Sequence, residues 1–357
     1  MIVTATAPGK LILIGEYAVL DGAPAMALAV DRRAEVQLRP GAGDSWAIDA
    51  PGIIAKAARF RLLRDGTLDW QGVGGMVINR LRPIAQVLCD LMSQGPFSVA
   101  QVPGFTATLL TLNFFYKTQN GGRDKLGLGS SAALTVALAF ALAEYAGFPL
   151  ERLSRENWLS MLTRAHRSMQ GGRGSGLDIA TSLWGGVIRY SLRSGAPEVR
   201  SMAIPDDLSL LFIWTGRGAS TNTFLTAFRD WRDAKVEQSA RIIDDLGQLS
   251  SLGIDAAENR DSQMLLETVA AYGAALRRLG RASRIDIYSA EHERIAGLAD
   301  TVGAVYKPCG AGGGDLGVAL SNDPDVLTRL AADVESAGFR TVALQIDPRG
   351  VQTNRRT

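Results

Sequence analysis

The sequence contains little of what metal centres and disulfide frameworks are built from. Cys89 and Cys309 are the only cysteines among 357 residues and lie far apart, and His166 and His292 are the only histidines. These four residues offer neither a disulfide framework nor the spacing of metal ligands. We therefore expect no structural metal.

The sequence also lacks a strong charge imbalance and a long apolar run. A formal net charge of +2 argues against a general polyanion binder. The longest nearly uninterrupted apolar stretch, 132–143, is too short to cross a bilayer and stops at Glu144. The first 17 residues lack the basic start, apolar block and cleavage site of a signal peptide. We expect a cytoplasmic protein that binds neither nucleic acid nor a membrane.

The order of predicted strands and helices indicates the α+β class in two lobes. Alternating residues over 1–40 predict a strand, a loop and a second strand, and apolar residues at helical spacing predict a helix over 77–91. From "LSLLFIWTG" onward a strand is followed by mostly helical sequence, which places a change near Pro205. We therefore predict an N-terminal lobe over 1–204 and a C-terminal lobe over 205–357.

The segments between these elements give different signals. Residues 41–75 are irregular, with scattered glycines and several arginines, and are predicted to be an excursion from the core. By contrast, "SAALTVALAFALAEYAG" carries strong helix formers and ends at Gly147, and "LERLSRENWLSMLTRAHRSMQ" is amphipathic. We predict a helix in each of these two segments, the first of them buried, and a short helix after Asp178.

Three glycine-rich loops stand next to predicted helices or strands: "KLGLGSSAAL" at 125–134, "GSGLD" at 174–178 and "GAGGGD" at 310–315. Glycine lets the backbone approach a ligand closely, and a helix N-terminus attracts anions. Ser130 and Ser131 are predicted to cap the following helix, and a serine there can also reach a phosphate-bound Mg²⁺. The first loop lacks the Gly-Lys-Ser/Thr ending of a Walker A loop. Tight packing would explain one loop, but three favour a phosphate donor, an acceptor and a carboxylate between them.

These motifs resemble those of the GHMP small-molecule kinase superfamily, named for galactokinase, homoserine kinase, mevalonate kinase and phosphomevalonate kinase. "PGKLILIGEYAVLDG", "GLGSSAAL" and "KPCGAGGGDLG" match in order and spacing. The resemblance implies a lobe similar to domain 2 of ribosomal protein S5, followed by a ferredoxin-like lobe. It also implies that ATP, with Mg²⁺, and an acceptor bind in the cleft between the lobes.

Within the superfamily the phosphomevalonate kinases are the most similar group, through "GEYAVLDG", "KLGLGSSAAL" and "AHRSMQGGRGSGLDIA". Mevalonate kinases carry a Mg²⁺-binding glutamate eleven positions before the catalytic aspartate, where this sequence has Arg167. One departure points the other way, because Gly172, next to Arg173, stands where phosphomevalonate kinases have a lysine.

The resemblance therefore implies transfer of the γ-phosphoryl group of ATP to phosphomevalonate, which gives diphosphomevalonate for isoprenoid synthesis. Mevalonate or another small alcohol is the alternative acceptor. A decarboxylase of the diphosphomevalonate type and a ligand-binding homologue without catalysis are the alternatives of another class. The small-molecule substrate is the one partner predicted, and a homodimer is left open.

The resemblance assigns the catalytic roles to Lys10 and Asp178. A phosphate acceptor with a second pKa near ~6 is largely ionised at neutral pH, so Asp178 would orient Lys10 and the acceptor more than remove a proton. Helix capping is the alternative role for Asp178. The predicted ATP-binding residues are Gly127, Leu128, Gly129, Ser130, Ser131 and Ala132, with Ser131 as the Mg²⁺ ligand. The predicted substrate-binding residues are Lys10, Glu16, Tyr17, Arg173, Ser175, Ser220, Thr221, Gly310, Gly312 and Gly313.

A phosphorylated acceptor needs cations beyond Lys10, and guanidinium groups bind phosphate with two hydrogen bonds. Arg173 and Lys307 are candidates because each is adjacent to a glycine loop, and Arg217 is a candidate because it lies in "GRGASTNT", the turn after the strand "LSLLFIW". Asp315 is predicted to orient its own loop. His166 is predicted to be structural, as is Cys309.

Overall fold

The computed structural model describes the chain except for residues 42–44, 64, 66, 97–101, 118–121, 170–173, 194 and 357. Two sheets with helices packed on them confirm the predicted α+β class. None of the helices in the described ranges is both long and apolar enough to cross a membrane.

The larger sheet contains nine strands in the described part of the chain. They are β1 (Ile2–Ile14), β2 (Ala25–Pro40), β3 (Trp46–Asp49), β4 (Ala58–Leu62), β5 (Leu68–Trp70), β6 (Phe105–Leu110), β9 (Val187–Arg193), β10 (Ala196–Met202) and β15 (Gln352–Arg356). β1 and β2 pair antiparallel along most of their length. The first half of β1 alternates between buried and half-buried residues, and its second half is buried throughout, which carries Lys10 into the interior.

The prediction that residues 41–75 leave the core is wrong. β3, β4 and β5 extend the larger sheet, and Ile48 and Phe60 are buried in its core. β3 pairs parallel with β6, matching Ala47 with Thr106. These strands are short and the partner of β3 lies about sixty residues away, so no local period marks them.

The last strand of the chain returns to the sheet of the first. β15 pairs antiparallel with β1, from Ile2 opposite Arg356 to Thr6 opposite Gln352. The predicted lobe boundary between residues 204 and 205 stays a prediction.

The remaining strands are β7 (Phe115–Lys117), β8 (Arg123–Lys125), β11 (Ser209–Trp214), β12 (Val305–Pro308), β13 (Leu316–Ser321) and β14 (Arg340–Val342). Four of them form a smaller antiparallel sheet in the order β12, β13, β11, β14, and β7 pairs antiparallel with β8. β11 and β13 are the strands predicted around Pro205 and after the third glycine loop.

The helices agree with the predicted pattern, with differences at their ends. They are α1 (Gly75–Gln94), α2 (Ser130–Tyr145), α3 (Arg155–Met169), α4 (Leu177–Trp184), α5 (Thr221–Ala234), α6 (Val236–Glu258), α7 (Ser262–Ser283), α8 (Ala290–Val302) and α9 (Pro324–Ser336). α2 is buried on nearly all sides, as an apolar helix inside a core should be. α3 begins at Arg155 because the preceding Leu150–Arg152 form a 3₁₀ turn.

Candidate active site

A pocket forms where β1, the turn that follows it, the C-terminal part of α3, the start of α4 and the third glycine loop meet. Nine of the residues predicted from the sequence line it: Lys10, Glu16, Tyr17, Gly127, Ser175, Asp178, Thr221, Gly310 and Gly312. All three glycine loops therefore contribute to one pocket, although they are far apart in the sequence.

Lys10 and Asp178 face each other in this pocket. The Nζ atom of Lys10 lies 3.5 Å from Oδ1 of Asp178. The backbone of Lys10 is fixed as well, because its N–H donates to the carbonyl of Leu128 at 2.9 Å. α4 begins at Leu177, one residue before Asp178, and the N-cap position is Gly176 with no side-chain cap. The helix-capping alternative for Asp178 is therefore wrong, and the carboxylate is left available to Lys10 and a ligand.

The donor loop predicted from "GLGSSA" has the backbone conformation that glycine permits. Gly127 and Gly129 have φ of +75° and +70°, and a Cβ on Gly127 would lie 2.5 Å from Cβ of Asp315. Gly129 is the N-cap residue of α2, which has no side-chain cap, so the predicted capping by Ser130 and Ser131 is wrong. The Leu128 side chain is buried.

The hydroxyl of Ser131 instead lies 3.1 Å from Nε2 of His166, whose imidazole lines the pocket. Burial lowers the pKa of His166, with Asp178 acting in the opposite direction. Ser131 itself does not line the pocket, and neither do Leu128, Gly129, Ser130 and Ala132. Ala132 is buried, like Leu128, so those two residues can meet a phosphate only through their backbone.

Glu16 and Tyr17 join the first motif to the third glycine loop. Oε1 of Glu16 accepts a hydrogen bond from Nζ of Lys307 at 2.5 Å and another from the N–H of Gly310 at 3.3 Å. The hydroxyl of Tyr17 donates to the carbonyl of Ala311 at 2.6 Å. Lys307 is fully buried against this carboxylate and does not line the pocket, so the prediction that it binds the acceptor is wrong.

Asp315 ends the third loop and does line the pocket. Its Oδ1 atom accepts a hydrogen bond from the N–H of Ala219 at 3.1 Å, which ties the third loop to the turn before α5, as predicted. Burial raises the pKa of Asp315 to about 6, and the Ala219 N–H, Lys10 and Lys125 oppose that rise. Burial also raises the pKa of the neighbouring Cys309 thiol to about 12, which keeps it protonated.

Several other predicted residues lie apart from the pocket. Arg217 is half-exposed, and its Nη1 lies 3.5 Å from Oε2 of Glu291. Ser220 accepts a hydrogen bond from the Thr223 hydroxyl, and α5 already begins at Thr221. Gly313 packs against the ring of Phe224, which a Cβ would strike. Arg173 falls outside the residues the structure describes.

Sequence reasoning missed one polar and one apolar part of the pocket. Thr163 and Arg167 project from α3, and Arg167 was noted only as a departure from a mevalonate kinase pattern. An apolar side is supplied by Ile12, Val19, Leu20 and Leu225. Thr163 and Arg167 are four residues apart on a predicted amphipathic helix, a spacing that places two side chains on one face. That spacing was the available signal.

The donor set fits a Mg²⁺ ion held mainly by phosphates. Mg²⁺ takes oxygen ligands, usually one or two carboxylates together with phosphate oxygens and water. The carboxylate of Asp178 lines the pocket and is a suitable donor. The hydroxyl of Ser131 is a donor of the right type, but it would have to exchange its contact with Nε2 of His166 for the ion. No group of three or more histidine, cysteine, aspartate or glutamate side chains gathers in the described residues, so a cage made only of protein ligands is not found there.

The chain is similar in sequence to several known proteins. The family model "GHMP kinases N terminal domain" matches residues 105–186. The phosphomevalonate kinase of Streptomyces sp. (strain CL190) is 31% identical over 344 residues, covering 88% of each chain. The mevalonate kinase of Aeropyrum pernix is 29% identical over 334 residues, covering 93% of each.

A solved structure shares the fold. Streptococcus pneumoniae phosphomevalonate kinase, in complex with phosphomevalonate and AMPPNP, aligns over 96% of this chain and 99% of its own with a TM-score of 0.75 at 18% identity. The fold and these relatives define a phosphotransferase with two lobes. The chain belongs to the GHMP kinase family, whose members use ATP.

Proposed function

We propose that this chain transfers the γ-phosphoryl group of ATP to phosphomevalonate and releases ADP and diphosphomevalonate. The observation that carries the proposal is the charge of the pocket wall at residue 167. Arg167, a cation, lies eleven residues before Asp178 and lines the pocket. An acceptor that is itself a phosphate brings about −1.5 to −2 charges at neutral pH, which a cation there stabilises. The 31% identity to the Streptomyces phosphomevalonate kinase supports the same acceptor.

The chemistry asks for alignment and charge stabilisation more than for a strong base. An oxygen of the acceptor phosphate attacks the γ-phosphorus, the bond from that phosphorus to the β,γ-bridging oxygen breaks, and ADP leaves with the electron pair. Lys10 lies where it would reduce the repulsion between two anionic phosphates. Asp178, 3.5 Å from its ammonium group, would hold Lys10 and the acceptor in line.

The donor phosphates would lie on the backbone of residues 127–132. The N-terminus of α2 presents unpaired N–H groups and a positive partial charge to an anion. Gly310 and Gly312, both with positive φ, let the third loop approach the phosphates without side chains in the way. Mg²⁺, with Asp178 and Ser131 as its protein ligands, would neutralise phosphate charge when bound.

Mevalonate kinase is the second candidate, because several relatives bear that name. Purified protein with Mg-ATP would be given mevalonate, phosphomevalonate or diphosphomevalonate in separate reactions, with ADP and CO₂ measured in each. We expect ADP release with phosphomevalonate only, and no CO₂. ADP release with mevalonate alone would refute the proposed acceptor. CO₂ release from a diphosphorylated substrate would indicate the decarboxylase, and inactivity throughout would indicate a binding protein.

A further inference from the structure

Two residues of α3, Thr163 and Arg167, line the pocket and keep polar atoms that a ligand could bind. Thr163 is 8% exposed, and its Oγ1 atom is buried with no hydrogen-bond partner in the described structure. Arg167 follows one helical turn later and forms no ion pair with any described residue. Both line the pocket that contains Lys10 and Asp178. A buried hydroxyl without a partner is unfavourable unless a ligand or water satisfies it.

The guanidinium group of Arg167 is held along one edge. Its Nε atom donates to the carbonyl of Gly174 at 2.8 Å, and Nη2 lies 3.5 Å from the carbonyl of Ser175. The remaining nitrogen, Nη1, donates to no residue in the described ranges. A guanidinium fixed on one edge presents its other edge in a defined orientation, which suits the oxygens of a phosphate.

The charges around the pocket favour an anion at this position. Lys10 and Arg167 are the cations among the described lining residues. Lys10 is opposed by Asp178, and Glu16 is paired with Lys307. The third lining carboxylate, Asp315, accepts a hydrogen bond from the N–H of Ala219 and forms no ion pair with a described residue. Arg167 is therefore the positive charge that the described pocket leaves without a carboxylate.

The position of Gly176 keeps this corner open. Gly176 has a φ of +91°, and a Cβ there would lie 2.9 Å from Oγ1 of Thr163. With glycine at 176, the backbone before Asp178 passes close to Thr163 without covering its hydroxyl by a side chain. The loop that carries Asp178 and the two α3 groups therefore form adjacent walls.

We propose that Thr163 and Arg167 form the binding subsite for the phosphate that the acceptor already carries, and that this subsite selects a phosphomonoester over the free alcohol. The inference rests on the proposed function, which supplies the acceptor. Arg167 binds two phosphate oxygens through its open edge, and the hydroxyl of Thr163 donates to a third. The same arginine holds the carbonyls of residues 174 and 175, so the subsite is linked directly to the loop before Asp178.

The test is the kinetics of Arg167→Gln and Thr163→Val with phosphomevalonate, together with calorimetric binding of phosphomevalonate in the absence of nucleotide. We expect Arg167→Gln to raise the KM and Kd for phosphomevalonate by about 10- to 100-fold and Thr163→Val by about 3- to 10-fold. The KM for ATP should change by less than about 2-fold in both, because only the acceptor loses a contact. The KM and Kd for phosphomevalonate of Arg167→Lys should lie between those of wild type and Arg167→Gln, since lysine keeps the positive charge but cannot form two parallel hydrogen bonds to the phosphate.

Arg164→Gln is the matched control, because Arg164 is exposed on the same helix and does not line the pocket. It should leave all constants unchanged. If wild-type protein turns over phosphomevalonate but neither Arg167→Gln nor Thr163→Val weakens its binding, the subsite is refuted and the proposed function stands. If wild-type protein does not turn over phosphomevalonate, the proposed function fails and the subsite with it. Should Arg167→Gln not fold, Thr163→Val and Arg167→Lys decide the question by the same constants.

Discussion

Two lysine–carboxylate pairs each include one residue of the segment "KLILIGE" at 10–16, and they differ in burial and in separation. Lys307 and Glu16 have side chains 0% and 2% exposed, with Nζ 2.5 Å from Oε1. Lys10 and Asp178 have side chains 10% and 33% exposed, with a separation of 3.5 Å. The first pair is closed: Nζ of Lys307 and the N–H of Gly310 both donate to Oε1 of Glu16, while Oε2 is buried without a hydrogen-bond partner in the described residues. The second pair leaves both groups able to contact a ligand. A lysine and a carboxylate thus hold the loops together in one place and line the pocket in the other.

The comparison also explains why the loops can be rich in glycine and still keep their places. The Glu16 carboxylate receives Lys307 and the N–H of Gly310, and the Glu16 carbonyl accepts a hydrogen bond from the Tyr272 hydroxyl. The bonds from Lys307 and Gly310 hold the third glycine loop on its buried side, away from the pocket. The pocket side of the loop is then left to backbone N–H groups and to the looser pair.

The largest effect on stability should come from breaking the closed pair. Lys307→Met leaves the Glu16 carboxylate buried without its counter-ion, and the free energy of unfolding should fall by about 3–5 kcal/mol. Urea denaturation measures it. The double variant Lys307→Met with Glu16→Gln should recover much of the loss, because no buried charge remains. An unchanged unfolding midpoint in Lys307→Met would show that the buried pair contributes no more to stability than the open pair.

The open pair should show the reverse pattern. Lys10→Met removes the ammonium group that offsets phosphate charge, so kcat should fall by roughly 10³-fold. Its free energy of unfolding should change by less than about 1 kcal/mol, because Asp178 is a third exposed and stays hydrated. Steady-state kinetics and urea denaturation on one preparation test both halves. Full activity in Lys10→Met would contradict the assigned role.

Asp178→Asn keeps the shape of the side chain and removes its charge. Because a phosphate acceptor needs little base catalysis, we expect kcat to fall by about 10- to 100-fold, less than for Lys10→Met. The remaining activity should show no new dependence on pH between 6 and 8. Near-full turnover would show that Asp178 does not orient Lys10 or the acceptor, and a loss larger than that of Lys10→Met would indicate a base.

Acid should lower the free energy of unfolding through His292, a buried residue near the third glycine loop. Nε2 of His292 donates to the carbonyl of Gly314 at 2.9 Å, so Nδ1 accepts from the Tyr306 hydroxyl at 2.8 Å and the ring is neutral. Burial lowers the pKa of His292 from 6.5 to about 4, and Lys307 adds to that lowering. His292 is therefore protonated below pH 6.5 in the unfolded chain but only below about pH 4 in the folded protein.

The stability contributed by neutral His292 is present above pH 6.5 and is lost as the pH falls. Between pH 7.5 and 5.5 the expected loss is about 1 kcal/mol. His292→Gln should reduce this part of the pH dependence of the free energy of unfolding measured in urea. An identical pH dependence in the variant and the wild type would show that His292 does not contribute it.

The sequence predicted those parts of the molecule that leave a local signal. Helical spacing predicted α1, strong helix formers predicted α2, and glycine clusters predicted the loops around Gly127 and Gly310. The strands within residues 41–75 were missed because β3 finds its partner in β6, a contact that no local pattern records.

Within the site, sequence reasoning placed both Lys10 and Lys307 at the substrate, whereas only Lys10 of the two lines the pocket. Burial decides between Lys10 and Lys307, and burial depends on which loops meet in space. Arg167 was noticed only because it stands where mevalonate kinases have a glutamate. Its pairing with Thr163 needed the orientation of α3 against the pocket.

Phosphorus NMR of the wild-type protein with Mg-ATP and phosphomevalonate tests the central claim most directly. The account predicts that the phosphomonoester resonance of the acceptor and the γ-phosphate resonance of ATP disappear together, while the coupled pair of resonances of a new diphosphate appears alongside those of ADP. An unchanged phosphomonoester resonance, with transfer seen instead when mevalonate is supplied, would contradict it.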